Sequence, residues 1–148
     1  MSSVKSAKMV PQPEGTQPEE VTHISSFVLI MKGKQLLLLW RTKPERAANT
    51  WSLPGAVINW GEDPGHAALR VVREQLGAAP TSMKLLDVQS FGDKHWDICF
   101  VFQCEVPAVG KLADGISKVE WFDLAKLPPE LREGHKEVLD YAKARKTI

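Results

Sequence analysis

Glu62, Arg70 and Glu74 stand within one short stretch of the 148-residue chain, and their side chains carry the clearest chemical signal in it. A carboxylate offers oxygen to a hard cation such as Mg²⁺. It can equally pair with a guanidinium, and Glu74 follows Arg70 by four residues, the spacing at which helical side chains meet. On a helix, positions 71, 74 and 75 share one sector of ~100°. That sector reads Val71, Glu74, Gln75: a hydrocarbon, a carboxylate and an uncharged amide. Mg²⁺ is often held by one or two carboxylates together with substrate phosphates, so Glu74 helped by Glu62 would make a weak site. Trp60, beside the loop that leads to these residues, has a ring able to stack on a base or ribose. Asp93, His95 and Asp97 form a second polar group near a turn, where solvation is the ordinary reason for polarity.

Several elements must position these groups. Asp63 followed by Pro64 is an N-cap and first-turn pair, and Gly77 is a stop signal, which predicts a helix ending at Leu76. His66 falls on its outer face. Before it, Ile24 to Met31 and Gln35 to Arg41 are apolar segments separated by Lys32-Gly33-Lys34, the pattern of a hairpin. After it, Lys84 to Ser90 and Trp96 to Val106 read as strands joined by a polar turn. Ile98, Phe100, Phe102 and Cys104 alternate on one face of the second, as a half-buried strand requires. Lys118 to Asp123 is a further strand, and Glu133 to Lys146 an amphipathic helix with Val138, Leu139 and Ala142 at helical spacing. The order predicts a mixed α/β (α+β) domain with a mixed β-sheet sandwiched between helices. Residues 1–20 are Ser-, Lys-, Gln- and Pro-rich and read as a flexible leader, leaving 21–148 as the single domain.

The segment from Leu53-Pro54-Gly55 through Gly61-Glu62, Arg70 and Arg73-Glu74-Gln75-Leu76-Gly77 resembles the signature box of the Nudix hydrolases. That pattern is Gly, five residues, Glu, seven residues, then Arg-Glu, an aliphatic, one residue, Glu-Glu, one residue, Gly. Ala56 takes the place of the first Gly; Glu62, Arg70, Val72, Glu74 and Gly77 match; Val71 and Gln75 replace two glutamates. The resemblance extends over essentially all of Val21 to Lys146. It implies the Nudix fold, catalytic positions at Glu74, Glu62 and Arg70, and metal positions at Glu74 and Glu62 for Mg²⁺ or Mn²⁺. It also implies substrate contacts from Trp60, Gly55 and Arg41. In such a site the metals hold a diphosphate and activate a water for attack at phosphorus, and the helix N-terminus favours phosphate. Glu62 can instead serve to orient Arg70.

Two functions follow as expectations, the first favoured by the resemblance and the second kept as its alternative. One is a metal-dependent pyrophosphohydrolase acting on a nucleoside diphosphate linked to another moiety, such as ADP-ribose or a nucleotide sugar. The other is a catalytically silent Nudix-fold module that binds a nucleotide or a protein through the same cleft. The net charge of +1 provides no basic field of the kind duplex nucleic acid selects. No apolar run approaches a membrane span or a signal peptide, so a cytoplasmic protein is expected. Cys99 and Cys104 lie an odd number of residues apart on one strand, which points them to opposite faces and predicts two packed thiols. A homodimer is common in the family, and no single residue of this sequence requires one.

Overall fold

The computed structural model describes residues 22–92 and 96–148. The expected leader, along with Asp93 and His95, lies outside them. The elements run β1 (Thr22–Lys32), β2 (Gln35–Arg41), a 3₁₀ turn (Glu45–Ala47), β3 (Thr50–Ser52), β4 (Gly55–Val57), α1 (Pro64–Leu76), β5 (Thr81–Gly92), β6 (Trp96–Glu105), β7 (Ile116–Asp123) and α2 (Glu133–Ala144). Strand β1 pairs in parallel with β6 along Thr22–Ile30, and β5 lies antiparallel on the far side of β6. The other edge of β1 is shared between β4, at Ser25–Phe27, and the hairpin end of β2, at Met31–Lys32. Beyond that hairpin β2 continues between β3 and β7.

The central strands are hydrophobic on both faces because both faces are covered. Val28, Ile30, Leu37, Leu39 and Phe102 pack with Ala68, Val71, Val72 and Leu76 of α1. The alternate residues Leu29, Leu36, Leu38, Cys99 and Val101 pack with Val138 and Leu139 of α2. The mixed sheet between two helices is thus the architecture the sequence predicts. Strand β6 departs from the one-sided strand expected: it sits between β1 and β5, with Cys99 and Val101 under α2 and Phe102 and Cys104 under α1. The two cysteines are free and buried on opposite faces. Strands β3 and β4 flank Leu53-Pro54, and at three residues each they are too short to show an alternation.

Helix α1 begins and ends where its punctuation says. The Asp63 carboxylate accepts hydrogen bonds from the Gly65 and His66 amides, and Gly77 adopts φ 58°, ψ 35° in the left-handed region. The closing turn is crowded: a Cβ on Gly77 would stand 2.5 Å from the Lys111 amide nitrogen. No described helix is long and apolar enough to cross a membrane.

Candidate functional site

The loop from Val57 to Asp63 and the outer turns of α1 bring Glu62, Arg70 and Glu74 into one chain of contacts. Arg70 donates from Nε to Glu62 Oε2 at 2.9 Å and from Nη2 to Glu62 Oε1 at 2.9 Å, a forked pair. The same Nη2 reaches the Val57 carbonyl, and the Asn59 amide donates to Glu62 Oε1. These bonds, first Arg70 and then the Asn59 amide, hold the Glu62 carboxyl down at about 2. Arg70 Nη1 lies 3.6 Å from Glu74 Oε1, whose side chain is 65% exposed. Both oxygens of Glu62 are therefore engaged in fixing the loop to the helix through Arg70.

A second chain of contacts runs across the C-terminal half of α1. Gln75 Nε2 donates to the Gly55 carbonyl at 2.9 Å, while Gln75 Oε1 accepts from Arg41 Nη2 at 3.2 Å. Arg41 Nε donates to Ser52 Oγ at 2.9 Å. Gln75 thus spends its two ends as a clip between β2 and the start of β4. Val71, one turn before it, is 1% exposed inside the α1 layer. Of the sector 71, 74, 75, only Glu74 presents an uncommitted oxygen. Among the described residues no three His, Cys, Asp or Glu side chains gather as a metal-holding group. This donor set does not fit the multi-carboxylate metal site that the resemblance implies: Glu74 is exposed, Glu62 is held by Arg70, and Val71 and Gln75 carry no charge.

Trp60 lies on the same loop as Glu62. It is fully exposed on the loop before α1 and lines a hollow of roughly 700 Å³ with Ile24, Val57, Glu62, Pro64 and Phe100, a size within the range of small-molecule pockets. Asp97 is paired with His23, Nδ1 to Oδ1 at 3.2 Å, across the parallel β1–β6 register. Strand alternation puts Asp97 on the side of Cys99, away from α1. It therefore does not join Glu74. His66 is exposed, as expected from its outer position.

Two residues that matter here escaped the sequence reading. His135, 8% exposed, accepts from the Leu53 amide through Nδ1 at 2.9 Å and meets the Phe27 ring edge-on. Burial above all, then the charges of Arg132 and Arg41, lowers its pKa to about 3 and keeps it neutral. The Arg132 amide donates to the Trp51 carbonyl at 2.8 Å, which ties the start of α2 to β3. The signal for His135 was available: it precedes Val138, Leu139 and Ala142 by three, four and seven residues, on their face of α2.

The model of the NUDIX domain matches residues 21–142. The chain is 31% identical over 119 residues to the ADP-ribose pyrophosphatase of Methanocaldococcus jannaschii, covering 76% of this chain and 69% of that protein. It is 28% identical over 85 residues to the 8-oxo-dGTP diphosphatase of Proteus vulgaris, covering 56% and 76%. Among solved structures, the MutT protein from Methanosarcina mazei Go1 superposes with a TM-score of 0.71 at 26% identity, covering 88% of this chain and 99% of that one.

Proposed function

The chain belongs to the Nudix family, and from that premise we propose that it binds a nucleoside diphosphate linked to another moiety, of the ADP-ribose class, in the cleft beside α1 without turning it over by metal-dependent hydrolysis. The observation that carries this reading is the fate of the helix sector: Val71 is built into the core and Gln75 is tied at both ends. A relative named ADP-ribose pyrophosphatase, covering three quarters of this chain, supports the ligand class. The exposed ring of Trp60 over its hollow supports a base or ribose at one end of the ligand.

Pyrophosphohydrolysis is the second reading, favoured by the names of both relatives and by the exposed carboxylate of Glu74. One experiment separates the two. Release of nucleoside monophosphate from a panel of nucleoside diphosphate derivatives, ADP-ribose included, is followed with Mg²⁺ or Mn²⁺, beside calorimetric titration of the same compounds. Binding with no release above that of Glu74→Gln upholds the silent cleft. Release that Glu74→Gln abolishes establishes the hydrolase, with one helix carboxylate sufficient. Absence of both would remove the nucleotide from this cleft altogether.

A further inference from the structure

The face of the sheet that carries α1 is only partly covered by it. Helix α1 lies over β1 and β4 and reaches β6, while the part of that face toward β5 stays open. Register places the apolar residues of three strands side by side there. Ile24 is matched with Ile98, Val88 with Phe100, and Leu85 with Phe102, which packs under α1. Trp96 stands two residues before Ile98 on the same face, its indole N–H bonded to Ser90 Oγ at 2.7 Å. Ile24, Leu85, Val88 and Trp96 are each 42–52% exposed, on strands whose opposite face packs with α2.

This is an unfinished burial. Trp60, fully exposed, shares its hollow with Ile24 and Phe100 and so continues the strip. With it, the half-exposed residues offer solvent on the order of 700 Å², more than the largest apolar patch of a typical monomer. One partner of a standard-size interface contributes roughly 800 Å². The open part is also neutral: along β1, β5 and β6 its described residues carry no charge, Thr22 and Ser90 being the polar ones. Neutrality bears on the choice of partner, because in a two-fold interface one patch meets itself and every charge in it would face its own kind. Residues 1–20, the other segment that could cover the face, are Ser-, Lys-, Gln- and Pro-rich and have few apolar side chains to set against two tryptophans.

We propose that this open sheet face is where two copies of the chain meet, packed sheet on sheet beside α1 in a two-fold dimer. Val88 and Leu85 form the centre of the contact, with Trp96 and Ile24 around them. Trp60 stands at its margin, where the second copy closes the open side of the hollow. An aromatic ring has two faces, so contact with the second copy on one leaves the other to the hollow. The inference concerns assembly and stands whether or not a nucleotide binds.

The test is sedimentation equilibrium of the full chain between about 1 and 100 µM, within the range of affinities that interfaces of this size show. Wild type should reach twice the chain mass, with a melting temperature that rises with protein concentration. Val88→Lys and Leu85→Lys each set a charge against its own copy and should raise the dissociation constant at least about tenfold. Both positions are exposed in the single chain, so far-ultraviolet circular dichroism should be unchanged. Lys84→Ala, on the same strand but the opposite face, should leave the dimer intact. A wild type that stays monomeric throughout overturns the inference, and if deletion of residues 1–20 then makes it self-associate, the face belongs to that segment. A dimer that both lysine variants leave intact also overturns it, since the copies would then meet elsewhere.

Discussion

Replacing Val71 and Gln75 together with glutamate would restore the family's carboxylate set at the cost of the present packing. Val71 is buried among Ala68, Val72 and Leu76, and an unpaired charge there should cost about 3 kcal/mol or more. The double variant is expected to melt well below wild type in EDTA and to recover with Mn²⁺, whereas wild type should be indifferent to the ion. A variant that Mn²⁺ leaves unchanged would show that the cleft is not a decayed metal site. His135 offers a second residue-level prediction. Its pKa falls from 6.5 unfolded to about 3 folded, so the unfolded chain binds the extra proton in that window and stability rises with pH across it. The contribution is complete above 6.5 and lost on acidification, at up to about 1.4 kcal/mol per pH unit. Between pH 6.5 and 4.5, above the range where Glu62 titrates, the slope of denaturant-derived stability should flatten in His135→Gln.

At the scale of elements, α1 is the part whose limits were most legible, because its ends are set by local chemistry: an Asp–Pro pair at the start and a left-handed glycine at the stop. Asp63→Ala should cost about 1 kcal/mol through loss of the cap. Gly77→Ala should cost more than that, since it adds both a left-handed penalty and a Cβ pressed against the Lys111 backbone; equal losses in the two variants would argue against the close approach. The candidate site was legible only to the extent that it follows from spacing. The box positions Glu62, Arg70 and Glu74 could be placed from the sequence; the Arg70–Glu74 contact follows from helix spacing, while that of Glu62 with Arg70 was implied by the family resemblance alone. The Gln75 clip could not, because it depends on where β2 delivers Arg41, a strand paired with β3 and β7 through contacts far apart in the chain. The burial of β6 on both faces was hidden for the same reason: nothing local tells a strand which neighbours it will have.

Across the whole molecule, one sheet separates two apolar layers, and each cysteine belongs to a different one. Burial raises Cys99 to about 12, helped by Asp97, and Cys104 to about 11, helped by Glu105. Neither thiol should form a thiolate near neutral pH or reach its partner through the sheet. A thiol-specific chromogenic reagent is therefore expected to label both only at the rate of global unfolding, measured as a function of denaturant. Fast labelling of Cys104 in native buffer would mean that the α1 layer opens locally.

The pairing of β1 with β6 also fixes how the protein meets force. The two strands run in the same direction over nine matched positions, Thr22 with Trp96 through Ile30 with Cys104. A load applied between the entry to β1 and the exit from β6 pulls them along their length in opposite senses, so the hydrogen bonds between them share the tension instead of parting one by one. A molecule stretched between residues 22 and 106 should hold to higher force than one stretched across the β1–β2 hairpin, where strands peel from a single end.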